Sequence, residues 1–269
     1  MKCRGCFARF EDVRTTVLPR SHLPREAALQ LTTALGTRFS KVTFAGGEPT
    51  LAPWLPDLIA AAKAAGATTM LVTNASRLDR RYLDGLIGRL DWLAMSIDSG
   101  LPATQRELVR ATARGALSNE HYISTAEFAR KAGIRVKVNT VVGALNAHEN
   151  MAGFIEAVRP ERWKVLQVLP VEGQNDGEVE PLLISRRAFR EFLERHQYLA
   201  QNGIAVVGED NESMTGSYAM VDPAGRFFDN TAGRHSYSRP ILSEGIDAAW
   251  GDISFHLDRF VDRGGVYQW

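Results

Sequence analysis

Cysteine, long apolar runs and net charge are all scarce in this sequence. Its 269 residues include two cysteines, at positions 3 and 6, which cannot form the disulfide framework of a small secreted protein. No run approaches the about 20 apolar residues that a membrane-spanning helix needs, and no signal-peptide core is found. The formal net charge of +1 excludes a general polyanion-binding protein. We therefore predict a cytoplasmic protein with no membrane or nucleic-acid partner.

The sequence does contain a regular alternation of short β-rich runs and helical patterns. Apolar residues make up 45%, which is enough for a sizeable core. Strands are predicted at residues 41–45, 69–73, 92–97, 135–141 and 163–169. Helices are predicted at residues 54–65, 80–89, 124–132 and 149–158. Strands spaced by helices indicate βαβ units, so the fold class is α/β with a parallel sheet, and the count suits a full or partial (β/α) barrel.

The composition changes after Pro170. Residues 173–180 are acidic and loop-like, a helix is predicted at 186–197, and residues 203–269 are rich in Gly, Asp and aromatic side chains. We predict a barrel over residues 1–170 and a C-terminal extension over residues 171–269. No strand is predicted before Cys3, although each later candidate loop follows one. We therefore expect the first strand of the barrel to lie among missing residues ahead of Met1.

The first motif with chemical meaning is Cys3-Arg4-Gly5-Cys6. A C-x-x-C pattern has three interpretations, namely a redox dithiol, half of a zinc site, or part of an iron–sulfur site. A thioredoxin-like dithiol normally lies between a strand and the start of a helix. Zinc needs a second pair of ligands, but the six histidines of the chain are scattered. The pattern by itself leaves the three interpretations open.

A second motif, Gly46-Gly47-Glu48-Pro49, closes the first predicted strand. Adjacent glycines let a ligand approach the backbone, and Glu48 offers a carboxylate to an ammonium group. The motif taken alone is equally typical of a plain turn. A C-x-x-C pattern followed about 40 residues later by a strand and G-G-E-P is more specific, and it resembles the radical S-adenosylmethionine (SAM) enzymes.

Along its whole length the sequence resembles one family of these enzymes, the viperins. The collinear matches extend beyond the predicted barrel, which makes them more specific than the cysteine motif. The matching stretches are residues 41–49, 73–76, 95–99, 137–141, 162–165, 172–173, 217–218, 226–227, 233–234 and 263–269.

The resemblance implies a partial (β/α)6 radical SAM barrel with a C-terminal extension. It also implies a [4Fe–4S] cluster and SAM as cofactors, and a flavodoxin or ferredoxin as electron donor. A 5′-deoxyadenosyl radical would abstract the 4′ hydrogen of CTP, UTP or GTP, and loss of the 3′ hydroxyl would give the 3′-deoxy-3′,4′-didehydro nucleotide. Such a nucleotide terminates polymerase chains, so the implied role is antiviral defence.

Roles for individual residues follow from the same resemblance. Cys3 and Cys6 would hold the cluster. SAM would contact Phe7, Gly46, Gly47, Glu48, Asn74, Ser96 and Arg114. The nucleotide would contact Lys41, Lys137, Asn139, Arg162, Lys164 and Tyr218. Tyr218 is also the candidate catalytic residue, as a hydrogen donor late in the reaction, although an aromatic core residue is an equally good interpretation.

The residues themselves support the nucleotide site independently. Lys41, Lys137, Arg162 and Lys164 lie on or beside predicted strands, and Lys137 shares a strand face with Asn139 by the period of two. A buried cation is costly unless an anion meets it, so several that converge indicate a polyanionic ligand. Each one alone would be interpreted as an exposed strand end or a salt bridge. Residues 263–265 resemble a phosphate-approaching turn or a simple C-terminal loop.

The sequence also departs from the family pattern, which is C-x3-C-x2-C. Cys3 and Cys6 match its second and third cysteines, so the first falls ahead of Met1, and Gly5 replaces the usual aromatic residue. We expect a chain with two thiolates to be inactive or nearly so. Two alternatives remain: a nucleotide-binding protein without a cluster, and a radical SAM enzyme that acts on a peptide. The second is disfavoured because no cysteine-rich C-terminal region is present.

Overall fold

A computed structural model describes residues 3–18 and 22–268, and a parallel sheet is its central element. In chain order the strands are β1 (Lys41–Phe44), β2 (Thr68–Thr73), β3 (Trp92–Ser96), β4 (Ala111–Thr112), β5 (Gly115–Ala116), β6 (Arg135–Val142), β7 (Arg162–Gln167), β8 (Ala205–Glu209), β9 (Met220–Val221), β10 (Arg226–Asp229) and β11 (Ser236–Pro240). Within the described residues, six of them form the main sheet in the order β1-β2-β3-β6-β7-β8, and every neighbouring pair is parallel.

Helices connect and cover these strands. They are α1 (Glu11–Thr16), α2 (Arg25–Arg38), α3 (Leu55–Ala64), α4 (Arg80–Asp84), α5 (Pro102–Glu107), α6 (Asn119–Lys131), α7 (Ala152–Val158), α8 (Arg186–His196), α9 (Asn211–Met214), α10 (Ile241–Glu244), α11 (Ile246–Trp250) and α12 (Leu257–Asp262), with 3-10 turns at Pro49–Leu51, Glu180–Leu182 and Gln197–Asn202. None of the helices within residues 3–18 and 22–268 has both the length and the apolar character needed to cross a bilayer.

The five strands predicted before residue 170 are all present, with ends shifted by one or two residues. The main sheet nevertheless continues past Pro170, because β8 pairs with β7. This strand was not predicted, since it is short and contains Gly208. The helix predicted at 80–89 ends at Asp84, because Gly85 and Gly88 follow and Gly88 takes φ 73°. Helix α2 was also not predicted.

Alternating burial divides the main sheet into two faces. Val138 of β6 and Val165 of β7 belong to the main apolar core, and each is fully buried. Trp163 lies in the same core and donates from Nε1 to Thr140 Oγ1 at 2.8 Å. The residues that alternate with these along β6 and β7 point to the opposite face of the sheet, which is mainly polar on these two strands. The outer face therefore carries the packing, and the inner face is available for chemistry.

The C-terminal residues build a second layer. Strands β11, β10 and β9 form an antiparallel sheet in that order. Phe227 of β10 packs edge-on against Trp250 at 5.2 Å, and Trp250 lies 5.6 Å from Phe39, which follows α2. This contact joins the extension to the helical layer of the barrel. After α12, the chain returns to the main sheet.

Close packing of α2 on α3 gives a first prediction. A methyl group at Gly36 of α2 would lie 2.9 Å from Ala65 Cβ and 3.1 Å from the Ala62 carbonyl oxygen. We expect Gly36→Ala to destabilise the protein by about 1–3 kcal/mol through overpacking. Gly153→Ala is the matched control, because Gly153 is an exposed glycine of α7 with open space around it, and it should stabilise by about 0.5–1 kcal/mol. Urea unfolding measures both, and equal stabilisation by the two substitutions would contradict this packing.

Candidate active site

The inner face of the main sheet carries a cluster of cations. Lys137 of β6 and Arg162 and Lys164 of β7 lie on the face opposite the apolar core. The register places Lys137 opposite Arg162 and Asn139 opposite Lys164, so these side chains are cross-strand neighbours. Each of the three cations is at most 9% exposed. The sheet thus brings together charges that the sequence analysis had assigned to one ligand.

A tyrosine near the end of the chain enters the same cluster. The Tyr267 hydroxyl accepts a hydrogen bond from Lys41 Nζ at 2.7 Å, and the Arg162 guanidinium lies 4.2 Å from the ring centroid. Lys137 Nζ is 5.6 Å from the same centroid. Trp92 of β3 packs edge-on against the ring at 5.7 Å. Sequence reasoning missed Tyr267, because nothing in the pattern separates this residue from an ordinary core aromatic.

Glu209, the last residue of β8, is the acidic partner of the cluster. It is 1% exposed, and its Oε1 accepts from Lys164 Nζ at 2.8 Å and from Arg263 Nη1 at 2.9 Å. The Tyr218 hydroxyl donates to Glu209 Oε2 and accepts from Lys164 Nζ at 2.5 Å. Burial alone would raise the pKa of Glu209, but the two cations lower it below its usual value. The sequence analysis missed Glu209 because it lies on the unpredicted strand.

Among the described residues, Lys164 and Arg263 bind this ionised carboxylate, and Lys41, Lys137 and Arg162 lie in the same cluster. Burial, and then the charges of Lys164, Arg162 and Arg263, lower the pKa of Lys41 to about 7. Burial and neighbouring cations likewise lower the pKa of Lys137 to about 6. The pKa of Lys164 falls only to about 8, because the adjacent carboxylate opposes the effect of burial. This excess of positive charge favours a ligand with several negative charges.

Unpaired polar groups in the cluster also favour an anionic ligand. The Lys137 ammonium has no hydrogen-bond acceptor in the part of the chain that the structure describes, although it is 6% exposed. The Nε atoms of Arg162 and Arg263 and the Oδ1 atom of Asn139 are buried without a partner among those residues. Buried polar groups of this kind are costly unless a ligand or water meets them. The cluster can therefore accept an anion with several oxygen atoms.

A carboxylate is held in a fixed orientation at the carboxyl end of β1. Glu48 Oε1 accepts from Thr50 Oγ1 at 2.6 Å, Thr73 Oγ1 at 2.7 Å and the Thr50 amide at 3.1 Å. Its Oε2 accepts from the Asn74 amide at 2.9 Å, which leaves acceptor capacity on that oxygen for a cationic ligand. The Glu48 side chain is thus preorganised rather than mobile.

The other residues predicted to contact SAM lie at the same edge of the sheet. Gly46 and Gly47 follow β1, Asn74 follows β2, and Ser96 ends β3, and these three strands are parallel neighbours. Gly46 has φ 110°, which favours glycine, and a Cβ atom at either glycine would meet nothing within 4 Å. Asn74 Oδ1 accepts from the Ser76 amide at 2.8 Å, so its Nδ2 is the group left for a ligand.

The cysteine loop forms a tight turn. The Cys6 amide donates to the Cys3 carbonyl oxygen at 3.2 Å, and both thiols are partly exposed. The Arg4 amide reaches the Leu108 carbonyl oxygen at 3.4 Å, just after α5. Phe7, the predicted adenine contact, follows directly and is 38% exposed. Burial raises the pKa of Cys3, and the neighbouring guanidinium of Arg110 opposes this rise.

The predicted SAM contact of Arg114 stays a prediction. Arg114 lies exposed in the turn between β4 and β5, and its guanidinium has no acceptor among the described residues. Arg110, four residues earlier, is partly buried near Cys3 and forms an ion pair with Asp98. Val109, just before it, adopts φ 56°, a strained conformation for a β-branched residue. Sequence reasoning missed Arg110 because the irregular backbone around it follows no periodic pattern.

Comparison with known proteins decides the family. A sequence model of the Radical SAM superfamily matches residues 1–158. The chain belongs to the radical SAM superfamily. It also belongs to a family within it whose members are named S-adenosylmethionine-dependent nucleotide dehydratases. Over its whole length it is 45% identical to one from Lacinutrix mariniflava and 43% identical to one from Flammeovirga pacifica, and it spans 56% and 92% of those two proteins.

A solved structure supports the radical SAM fold. Streptococcus suis SuiB bound to S-adenosylmethionine superposes with a TM-score of 0.65 at 17% identity, over 84% of this chain and 56% of that one. At this identity the likeness concerns the fold alone. The predicted family and the predicted α/β class with a parallel sheet are therefore confirmed.

The cysteine pair fits the superfamily's [4Fe–4S] cluster only in part. The chain contains two cysteines, whereas the pattern of the superfamily uses three thiolates. No group of three His, Cys, Asp or Glu side chains within residues 3–18 and 22–268 is arranged to hold a metal ion. Cys3 and Cys6 can supply two thiolate ligands, and a third would have to come from outside these 269 residues.

The lowered lysine pKa values predict that a polyphosphate binds with uptake of protons. Lys41 and Lys137 are partly neutral at pH 7.5 in the free protein, and a bound polyanion favours their charged forms. Below about pH 5 both lysines are already charged, so their contribution to affinity should be largest there and fall as pH rises through 5 to 8, by up to about tenfold per unit for each proton. Calorimetric titration with inorganic tripolyphosphate, in buffers of different ionisation enthalpy at pH 7.5, measures the uptake.

Two variants control this measurement. Lys137→Met removes one titrating group and should lower both the affinity and the number of protons taken up. Lys131→Met, at an exposed lysine of α6, should change neither quantity. Binding heats of the unaltered chain that do not depend on the buffer would contradict the account.

Proposed function

We propose that this chain is the catalytic part of a radical SAM nucleotide dehydratase. It would convert a nucleoside triphosphate (CTP, UTP or GTP) to its 3′-deoxy-3′,4′-didehydro analogue, a chain-terminating antiviral nucleotide. The observation that carries the proposal is the cluster of five cations on the inner face of the sheet, two of which bind Glu209. The names of the relatives, which span the whole chain, support the same substrate class.

The reaction balances as a dehydration. Cys3, Cys6 and a third thiolate would hold a [4Fe–4S] cluster, which would supply the electron for cleavage of SAM to methionine and a 5′-deoxyadenosyl radical. The 4′ hydrogen of the ribose would pass to that radical, and the 3′ hydroxyl would leave as water with one further electron and one proton. We infer a flavodoxin or ferredoxin as the source of both electrons, and a reducing cytoplasm as the location.

The residues of the chain would bind and orient the nucleotide. Lys41, Lys137, Arg162, Lys164 and Arg263 match a triphosphate in number and sign of charge, and their burial strengthens each contact relative to water. We assign a ribose contact to Asn139, because its Oδ1 atom lacks a partner among the described residues. The ring of Tyr267 would shield the site.

Tyr218 is the candidate catalytic residue. Burial, and then the charge of Glu209, raise the pKa of its hydroxyl well above the usual value, so this group stays protonated at neutral pH. Its hydroxyl accepts a hydrogen bond from Lys164, which can replace a proton, and donates one to the ionised Glu209. As a hydrogen donor late in the reaction, Tyr218 would supply the proton that accompanies the leaving hydroxyl.

The SAM side of the site is proposed at the carboxyl edge of β1, β2 and β3. Glu48 would accept a hydrogen bond from the ammonium of SAM, since its carboxylate is already oriented and keeps acceptor capacity. Gly46 and Gly47 would leave space for the ligand, with Asn74, Ser96 and Phe7 as further contacts. The division at residue 170 would then separate a barrel that binds SAM from an extension that completes the nucleotide site.

Turnover by a protein that carries this chain and a third cluster cysteine tests the proposal. The cluster is reconstituted anaerobically, and SAM, a reductant and each nucleoside triphosphate are supplied in turn. We expect 5′-deoxyadenosine together with a nucleotide that has lost the mass of water, from one base in preference to the others. Lys137→Met should lower kcat/KM by roughly tenfold or more, because a charge-assisted contact to the triphosphate is lost.

Two results would count against this function. Cleavage of SAM that no nucleotide stimulates, despite an intact cluster, would favour another substrate class. Binding of nucleotides without any cleavage of SAM would favour a non-catalytic nucleotide-binding protein. The 269-residue chain alone should show little or no turnover, because it offers two thiolates for the cluster.

A further inference from the structure

The chain makes a strained turn directly after the cysteine loop. Phe10 has φ 53° and ψ 36°, the left-handed region that an aromatic residue rarely adopts. Its side chain is 6% exposed, packs edge-on against Phe228 at 5.2 Å and lies tilted against His235 at 5.5 Å. Strain of this kind persists only where the surroundings hold the backbone in place. The ring contacts fix the side chain, so the backbone needs a separate anchor.

That anchor is a single buried amide oxygen from a distant part of the sequence. Gln174 Oε1 accepts from the Arg9 amide at 2.8 Å and from the Phe10 amide at 2.9 Å. Gln174 is 6% exposed, and its backbone amide donates to the Val171 carbonyl oxygen at 3.0 Å. Its loop is tied to the extension where the Glu172 amide donates to the Gly233 carbonyl oxygen at 2.9 Å. Gln174 is therefore held firmly before it binds the turn.

The Arg9–Phe10 turn contacts the cysteine loop through the Arg9 side chain. The Arg9 side chain folds back, and its Nη2 donates to the carbonyl oxygens of Cys3 and Arg4, at 3.3 Å in each case. The same atom lies 3.2 Å from Glu178 Oε2, on the loop that carries Gln174. Residues 174–178 therefore contact this region in two places. Gln174 binds the backbone of the turn, and Glu178 pairs with the Arg9 guanidinium that reaches the cysteine loop.

We propose that Gln174 is a positioning residue that fixes the conformation of the Cys3–Cys6 loop through the Arg9–Phe10 turn. What the loop positions rests on the proposed function, in which Cys3 and Cys6 are thiolate ligands of the cluster. Gln174 itself touches neither cysteine. Its part is to keep the two thiols in one geometry before a ligand is bound, which lowers the entropic cost of assembling the site.

Paired substitutions test the proposal without cluster, SAM or nucleotide. Gln174→Leu keeps the approximate volume and removes the acceptor. We expect hydrogen exchange of the Arg9 and Phe10 amides to be about tenfold faster or more in Gln174→Leu, because two hydrogen bonds are lost. Alkylation of Cys3 and Cys6 by iodoacetamide should also be several-fold faster.

Controls separate this role from general destabilisation. Gln201→Leu, at an exposed glutamine, should leave exchange and alkylation unchanged. Exchange in β6 and β7 should match the unaltered protein in every variant, and if Gln174→Leu does not fold, Gln174→Asn replaces it, since its shorter side chain withdraws the oxygen. Unchanged exchange and alkylation in Gln174→Leu, or equal increases in Gln201→Leu, would overturn the proposal whatever the enzyme's substrate proves to be.

In a reconstituted protein that carries this chain and a third cluster cysteine, the same variants give a second readout. Gln174→Leu should lose iron to a chelator several-fold faster than the unaltered protein, and Gln201→Leu should retain it. Equal retention of iron in all variants would contradict the proposed link between the turn and the cluster. Failure of nucleotide-dependent turnover in the unaltered protein would instead count against the proposed function.

Discussion

Repulsion among buried cations is the constraint around which this molecule is organised. The buried Lys137, Arg162, Lys164 and Arg263 and the partly buried Lys41 converge on one face of the sheet, where burial weakens the screening that water gives at a surface. Among the described residues, the carboxylate of Glu209 partly compensates them. Protons leave the lysines most strongly affected, which lowers the positive charge of the free site. A polyanionic ligand restores that charge, so binding and protonation are coupled.

The C-terminal residues supply what the predicted barrel does not. Tyr218 and Arg263 complete the network around Glu209, and Tyr267 covers three of the cations. The return of the chain to the sheet depends on two glycines. A Cβ atom at Gly265 would lie 2.4 Å from the Phe260 carbonyl oxygen, and Gly264 has φ 70° beside Arg162. The extension and the sheet therefore form one electrostatic unit.

The parts of this arrangement that could be predicted from the sequence are those that depend on local patterns. The period of two along β6 placed Lys137 and Asn139 on one face, and alternation of strands and helices indicated the parallel sheet. Glu209 could not be predicted as a partner, because a single carboxylate on a short strand has no periodic context. The position of Arg110 could not be predicted for a related reason, because the irregular backbone around Val109 determines where the Arg110 side chain points.

Gln174 illustrates a second limit. Its two hydrogen bonds join residues more than 160 positions apart, and no local pattern distinguishes it from any polar residue in an acidic loop. The left-handed conformation of Phe10 was equally hidden, because aromatic residues rarely adopt it. Motif comparison finds the ligands of a site, whereas the residues that hold those ligands in place become visible only when distant segments meet.

The most direct test of the central claim is the melting temperature of the protein with a nucleoside mono-, di- and triphosphate at equal concentration. If the cation cluster is a polyphosphate site, stabilisation should rise with the number of phosphates and be largest for the triphosphate, since a tighter ligand stabilises the folded state more. Lys137→Met should reduce this gradient. Equal shifts for all three ligands, or none, would mean that these cations do not bind the phosphate chain, and would contradict the account.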